Sequence, residues 1–188
     1  MIVSVKTEAQ TEICAGTIGG RELLGRLLAH TAREPNAPEA VVLDFNGVEV
    51  ATASYLRESV LAFRDIVRGR RSNFYPVLAN LNDVIREELE DLLQGRGDAI
   101  LSGVADNQGR ISEMAPLGRL DPKQQRLFDL IRERRELDAS QLQREFGDTE
   151  GVKQTAWNNR LSALAMSGLV VELSEGRRKR YKPMFEGA

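Results

Sequence analysis

Cysteine and histidine are almost absent from this chain of 188 residues, which contains only Cys14 and His30. One cysteine cannot form an internal disulfide, and the pair cannot supply the usual nitrogen and sulfur ligands of zinc. The sequence also lacks a run of 18 apolar residues and the basic-then-apolar N-terminus of a secretory signal. We therefore expect a cytoplasmic protein that does not cross a membrane and has no cofactor. Cys14 is expected to fill the core, and His30 to lie at the surface or cap a helix.

Signatures of catalytic sites are missing as well. The sequence has no glycine-rich phosphate loop, no Gly-x-Ser-x-Gly turn and no grouping of serine, histidine and aspartate. Adjacent carboxylates such as Glu87 and Glu88 occur on a predicted helix that is expected to be solvated. We therefore predict that the chain is not an enzyme, while a ligand pocket in its first part remains an open alternative.

Charge is distributed unevenly along the chain, although the formal net charge is only −2. Residues 1–118 carry 12 lysines and arginines against 17 acidic residues, whereas residues 119–188 carry 14 against 11. An acidic part joined to a basic part suggests different partners for the two. The alternative is that both parts have ordinary solvated surfaces.

Residues 1–115 alternate between strand-like and helix-like patterns. The predicted strands cover residues 2–5, 40–45, 73–79 and 99–104, and the predicted helices cover 21–33, 54–70 and 83–93. The run 40–45 is apolar enough for a strand buried on both faces. Such alternation predicts an α/β domain with a mixed sheet and helices. Residues 111–120, with Pro116 and Gly118, are predicted to form a linker, with an extra strand at its start left open.

One segment of this domain, 41–60 or VVLDFNGVEVATASYLRESV, resembles the central motif of STAS domains, the fold of bacterial anti-sigma-factor antagonists. In that motif, a strand ending in Leu-Asp-x-Ser-x-Val leads through a short loop to a serine at the start of a helix. The segment is more similar still to STAS-like domains attached to DNA-binding modules in prokaryotes. The resemblance implies a STAS-like domain over residues 1–115, with regulatory or dimerisation roles.

The resemblance also implies roles for single residues. Asp44 matches the aspartate of the motif, and Ser54 falls where antagonists carry their phosphorylated serine. Thr52, Ala53 and Tyr55 depart from the pattern, which has an acidic residue, a serine and a glycine at these places. A phosphate on Ser54 would lie at a helix N-terminus, which favours an anion. The alternative is that Ser54 is only the N-cap of its helix, which stabilises by about 1 kcal/mol.

Residues 119–188 contain three helical patterns followed by a basic hairpin. The helices are predicted to begin at Pro122 after the N-cap Asp121, to cover 142–146 before a stop at Gly147, and to cover about 153–167. A branched strand over 169–173, a turn over 174–176 and a basic strand follow. This order of elements is that of a winged helix-turn-helix.

The third of these helices has two distinct faces. Trp157, Leu161 and Leu164 are spaced to share an apolar face that packs on the other two helices. The polar side, including its flank, consists of Thr155, Asn158, Asn159, Ser162 and Met166. Short polar side chains allow a helix to enter the major groove, where asparagine can pair with adenine. An ordinary surface helix would show a similar face.

Five cations occur within six residues of the last strand, at Arg177, Arg178, Lys179, Arg180 and Lys182. Like charges at this density repel one another, and a polyanion would compensate them. The alternative is a solubilising edge strand guarded against aggregation. Tyr181 is expected to face inward.

The segment from helix to hairpin resembles the recognition helix and wing of winged-helix regulators such as the MarR and ArsR types. Its Leu-x-x-Leu-x-x-x-Gly-Leu-Val signature is present as Leu161, Leu164, Gly168, Leu169 and Val170. The resemblance implies an α+β winged-helix DNA-binding domain over residues 119–188. The residues expected to contact DNA are Lys153, Gln154, Thr155, Asn158, Asn159, Arg160, Arg177, Arg178, Lys179, Arg180 and Lys182.

Together these features predict a sequence-specific transcriptional regulator that binds double-stranded DNA. A homodimer is expected, because one winged helix usually reads only a half-site. The alternative is a protein-interaction switch, in which residues 1–115 bind a kinase or a sigma-related partner.

Overall fold

A computed structural model describes residues 1–106, 108–176 and 178–185 of the chain. These residues divide into two compact units, Met1–Arg119 and Leu120–Ala188. No helix in the described ranges is both long enough and apolar enough to cross a membrane.

The described part of the first unit is built on a five-stranded mixed sheet. Its strands in chain order are β1 (Ile2–Ser4), β2 (Ile13–Cys14), β3 (Glu39–Asp44), β4 (Val50–Ala51), β5 (Phe74–Ala79), β6 (Ala99–Ala105) and β7 (Ile111–Gly118). The main sheet has the order β1-β3-β5-β6-β7, with β7 antiparallel to β6 and the other neighbours parallel. Strands β2 and β4 form a separate short parallel pair. The prediction of an α/β unit with a mixed sheet is confirmed.

The helices of the first unit pack on one face of this sheet. They are α1 (Val5–Ala9), α2 (Thr17–His30), α3 (Ala53–Leu56), α4 (Ala62–Gly69) and α5 (Asp83–Arg96), with the π-helical segment Arg57–Leu61 joining α3 to α4. Val41 and Leu43 of β3 share a core with Leu27 of α2, Leu56 of α3 and Phe63 of α4. The interleaved residue Val42 is only 3% exposed, so β3 is buried on both faces as predicted.

Strand β7 corrects the linker predicted over residues 111–120. It pairs with β6 from Ile111 to Gly118, with one irregularity near Ser102. Pro116 is tolerated because β7 is an edge strand, where a missing N–H need not break a ladder. Gly118 has φ of 98°, and a Cβ there would lie 2.5 Å from the carbonyl oxygen of Asp98. Proline and glycine therefore mark an edge strand and its tight end, not a linker.

The described part of the second unit consists of three helices and a hairpin. They are α6 (Pro122–Arg134), α7 (Ala139–Glu150), α8 (Gln154–Met166), β8 (Val171–Glu175) and β9 (Arg178–Lys182). Capping boxes begin two of the helices, with Asp121 and Gln124 at α6 and Asp138 and Gln141 at α7. The hairpin is joined to the residue before Asp138, because the main chains of Leu137 and Tyr181 exchange hydrogen bonds of 2.8 and 2.9 Å.

Two predicted ends of elements in this unit were wrong, and two starts also differ, because α7 begins at Ala139 and not at Leu142, and β8 begins at Val171 and not at Leu169. Helix α7 continues through the buried Gly147 and ends at Glu150, because Gly151 provides the left-handed C-cap with φ of 61°. The strand β8 extends to Glu175, and Gly176, with φ of 60°, begins the hairpin turn. Both elements end at a glycine with positive φ, Gly151 or Gly176, and not at the earlier Gly147 or Ser174.

Helix α2 approaches the π-helical segment closely at Gly20. A Cβ on this residue would lie 2.8 Å from the carbonyl oxygen of Tyr55 and 3.0 Å from Cβ of Glu58. Gly25, in the same helix, is exposed and has no neighbouring atom within 4 Å of such a Cβ. Alanine substitutions at the two positions can therefore distinguish the effect of packing, at Gly20, from the effect of helix propensity, at Gly25.

We predict opposite effects of alanine at these two positions. Gly20→Ala should lower the free energy of unfolding by about 1–3 kcal/mol, because the helices cannot close around the added methyl group. Gly25→Ala should raise it by up to about 1 kcal/mol through helix propensity. Urea unfolding of both variants measures the difference, and equal effects would contradict the close packing at Gly20.

Candidate nucleic-acid interface

A cleft of about 580 Å³ lies between the start of α7, the outer side of α8 and the hairpin. Its lining residues are Asp138, Ala139, Ser140, Arg144, Gln154, Asn158, Asn159, Ser162, Arg178, Lys179 and Tyr181. Three of them are cations and one is a carboxylate. The Asp138 carboxylate accepts a hydrogen bond from the backbone N–H of Gln141 as the N-cap of α7, and the cleft carries an excess of positive charge.

Helices α7 and α8 are held together at their N-termini. Nε2 of Gln154, the first residue of α8, donates a hydrogen bond of 2.8 Å to Oγ of Ser140 in the first turn of α7. Four residues after Ser140, and therefore on the same side of α7, the exposed Arg144 also lines the cleft. This link brings the polar starts of two helices to the same edge of the cleft.

The two faces of α8 are arranged as predicted. Trp157, Leu161 and Leu164 are buried, with at most 3% of each residue exposed. Asn158 and Asn159 are exposed and line the cleft. The buried stripe therefore fixes the rotation of the helix, and the asparagines follow from it.

The hairpin compensates part of its own charge. Nζ of Lys179 lies 2.6 Å from Oε1 of Glu172, and Nη1 of Arg180 lies 2.9 Å from Oε1 of Glu136. Arg180 also contacts Glu175, and hydrogen bonds to Glu136 and then to Glu175 raise the pKa of its guanidinium. The argument that the basic strand requires an external polyanion therefore holds for fewer charges than its sequence contains.

Two cations of the strand lack such compensation. Within the described residues, neither the exposed Arg178 nor the half-buried Lys182 has an acidic partner. Tyr181 between them is fully buried, as predicted, and its hydroxyl donates a hydrogen bond of 3.2 Å to Glu172. Arg177 lies outside the described residues.

The structure collects some of the predicted contact residues in the cleft and leaves others outside it. Those in the cleft are Gln154, Asn158, Asn159, Arg178 and Lys179. Those that do not line it are Lys153, Thr155, Arg160, Arg180 and Lys182. Lys153 and Thr155 are nevertheless exposed at the start of α8.

Arg160 is the clearest departure from the predicted interface. Its guanidinium carbon lies 4.8 Å from the centre of the Trp157 ring, and its Nη1 lies 3.7 Å from Oε2 of Glu150. The residue therefore belongs to the flank of α8 that faces α6 and the end of α7. Its sequence neighbour Asn159 is turned by about 100° around the helix, which explains the error.

Ser140 and Arg144 were missed by sequence reasoning. The predicted short helix over 142–146 did not include Ser140. The spacing of four residues between Ser140 and Arg144 therefore could not indicate that they share one side of a helix. A capping box at Asp138 and Gln141 was the available signal, since it begins the helix immediately before Ser140.

Ser54 in the first unit is not an N-cap, which corrects the prediction. Thr52 holds that position, and Ser54 is the second residue of α3, half-buried, with its Oγ 3.3 Å from Oγ1 of Thr52. Oγ1 of Thr52 also accepts a hydrogen bond of 3.3 Å from the backbone N–H of Gly16 at the start of α2. Thr52 therefore holds two helix starts together, and Ser54 lies beside them.

Exposed apolar side chains surround this place. Ile13 and Val50 are paired across β2 and β4 and are 61% and 37% exposed. Ile18, 75% exposed, follows Gly16 by two residues, and Val84, 51% exposed, follows Asn82, whose side chain donates to the carbonyls of Val48 and Glu49. Four exposed apolar residues thus lie on β2, β4 and the first turns of α2 and α5, the elements connected to Thr52 and β4.

Asp44 and Cys14, also considered in the sequence, have structural roles. Oδ1 of Asp44 accepts hydrogen bonds from the backbone of Asn46 and the side chain of Asn80, which ties the ends of β3 and β5 together. Cys14 is fully buried, and burial raises the pKa of its thiol despite a hydrogen bond with Tyr55. As predicted, Cys14 fills space in the core.

Comparisons with protein-family models, with curated proteins and with solved structures found no match to this chain. Within the described residues, no three side chains of the histidine, cysteine, aspartate or glutamate type are grouped so that they could hold a metal ion.

Proposed function

We propose that the chain is a sequence-specific regulator of transcription that binds double-stranded DNA. In this proposal residues 119–188 form a winged helix, and residues 1–115 form a STAS-like domain that receives a signal or mediates association. The observation that carries the proposal is the cleft in which the asparagines of α8 meet cations from α7 and β9.

The chemistry of the cleft suits the two parts of DNA recognition. Asn158 and Asn159 can exchange paired hydrogen bonds with the edge of adenine in the major groove. Arg144 and Arg178, on either side of the helix, can contact phosphates, which supply affinity and register without sequence information. In this arrangement the helix specifies the site, and the flanking cations hold the backbone.

The ion pairs of the hairpin distinguish Arg178 from its neighbours. Opposite charges paired across two strands stabilise a hairpin, and a wing that docks on phosphates also gains from the defined geometry. Arg178 lies in the cleft, exposed and without an acidic partner among the described residues, while its neighbours Lys179 and Arg180 are held by carboxylates. This arrangement supports a contact surface in which Arg178 is the cation that is available to bind a phosphate.

Selection from random duplex DNA at about 150 mM salt tests the proposal, because specificity is meaningful near physiological ionic strength. We expect enrichment of one sequence, arranged as a palindrome if a homodimer binds, with half-sites about 10 base pairs apart. The proposal is contradicted if no sequence is enriched and if all duplexes are retained to an extent that does not depend on salt.

We predict that the asparagines affect specificity more than affinity. The double variant Asn158→Ala, Asn159→Ala should lose about 1–3 kcal/mol of preference for the selected sequence per base contact, because the paired hydrogen bonds are lost. Its binding to random duplex should change little. Fluorescence anisotropy with both duplexes measures the ratio, and an equal loss on both would show that the helix does not read bases.

We predict that Arg178 contributes phosphate affinity on every sequence. Arg178→Ala should weaken binding to selected and random duplex alike, and should lower the slope of log affinity against log salt by about 0.9. Arg135→Gly is the matched control: it also removes one charge, lies outside the cleft and keeps a backbone with φ of 67° that glycine accepts. If both variants weaken DNA binding equally, the contribution of Arg178 is a general effect of net charge and not a contact made by the wing.

A second candidate function rests on the apolar residues around Ser54. Exposed Ile13, Ile18, Val50 and Val84 beside a serine near a helix start favour a protein-interaction switch, in which the first unit binds a kinase or a sigma-related partner. Phosphate would add about 1.5–2 negative charges beside these apolar residues and so change the partner that the surface binds.

We predict for this switch that cell extract with ATP adds one phosphate, detected by intact mass. Ser54→Ala should abolish the addition, whereas Thr52→Val, which removes the neighbouring hydroxyl, should keep it. If the chain gains no phosphate, or if the Ser54→Ala variant gains it equally, the switch is rejected and only the DNA-binding proposal is left.

A further inference from the structure

A second and smaller depression, the α6–α8 groove, lies on the flank of α8 that carries Arg160. Its volume is about 110 Å³. The apolar wall of the groove is formed by Pro122, Leu127, Leu130 and Trp157. Trp157 is 3% exposed, and its indole Nε1–H has no hydrogen-bond acceptor among the described residues. A buried donor without an acceptor is unfavourable and makes the indole sensitive to any group that enters nearby.

The rim of the groove carries an excess of positive charge. Lys123, Arg126 and Arg160 stand against a single carboxylate, Glu150. Glu150 contacts both arginines, closely at Arg126 and at 3.7 Å from Arg160. One carboxylate cannot saturate the donors of two guanidinium groups, each of which has five. The rim therefore retains donors and charge for a further anion.

We propose that the α6–α8 groove binds a small organic anion, specifically a short aliphatic carboxylate. Its hydrocarbon body would lie against Leu127, Leu130 and Trp157, and its carboxylate would join Glu150 between Arg126 and Arg160. A cavity of about 150 Å³ accommodates the six carbons of benzene, so a groove of about 110 Å³ fits a hydrocarbon body of about four carbons with the carboxylate at the rim. An inorganic anion would use only the rim, and a neutral hydrocarbon only the wall.

This inference is independent of DNA binding. The groove and the cleft lie on different flanks of α8, with Trp157 and Arg160 on one and Asn158 and Asn159 on the other. Binding to the groove is therefore measured on the protein alone, and its failure would leave the proposed function untouched.

The single tryptophan of the chain provides the readout. The full chain is titrated with 3-methylbutanoate at constant ionic strength, and the indole N–H signal of Trp157 is followed by NMR. We expect a saturable shift in the millimolar range, as is usual for so small a ligand. 3-Methylbutanol lacks the charge and acetate lacks the hydrocarbon body, so each should bind at least about tenfold more weakly.

Two variants with opposite expectations test the role of the rim. Arg160→Met keeps an apolar stem over the indole but removes the charge, and should weaken binding about threefold to tenfold. Glu150→Gln removes the competing carboxylate and should strengthen binding by a similar factor. Arg135→Gly, a cation of the same unit outside the groove, should leave it unchanged. A wild-type shift that is linear, absent or the same with acetate overturns the proposal, as does weaker binding by a folded Glu150→Gln variant.

Discussion

Trp157, Leu161 and Leu164 form one stripe of helix α8, and none of them is more than 3% exposed. Truncating a core side chain of this kind costs about 2–5 kcal/mol, so rotating the helix out of this position is strongly unfavourable. Successive residues are about 100° apart around a helix. Once the stripe is buried, Asn158 and Asn159 must face the cleft, and Arg160 must face α6 and Glu150. The properties of both surfaces of α8 depend on this single packing interaction.

The hairpin is positioned by a comparable anchor. Tyr181 is fully buried, its main chain pairs with Leu137, and its hydroxyl reaches Glu172. Side chains of a strand alternate between its faces, so burial of Tyr181 directs its neighbours Arg180 and Lys182 away from the core. The carboxylate of Glu172 also pairs with Nζ of Lys179, so it contacts both the hydroxyl of Tyr181 and a cation of the same strand. The β8–β9 hairpin is thus anchored to the rest of the second unit through Tyr181 and Leu137.

Local signals in the sequence were sufficient for much of the fold. The N-cap Asp121, the apolar periodicity of α8 and the apolar run of β3 act through neighbouring residues, and the structure confirms all of them. The errors arise where a residue outside the pattern decides, either on a distant strand or at a cap four residues farther along the chain. Residues 111–118 are a strand because β6 is available to pair with them, and Gly147 stays helical because Gly151 provides the cap.

The candidate sites follow the same division. The faces of α8 could be predicted from periodicity, whereas Ser140 and Arg144 required the N-terminus of α7 to be placed correctly. The role of Ser54 as a cap failed because Thr52, two residues earlier, meets the backbone of Gly16 from another helix. A motif compared along the chain could locate this serine but not the helix start beside it.

Charge shows most clearly why position in space outweighs position in the chain. Five cations in six residues suggest a strand that needs a polyanion, yet Lys179 and Arg180 meet Glu172, Glu136 and Glu175 within the unit. Among the described residues, the cations of the cleft that have no acidic partner are Arg178 of the hairpin and Arg144 of α7, which are far apart in sequence. The charge that the cleft can offer to an anion therefore depends on which cations the unit leaves unpaired, and not on the number of cations along the strand.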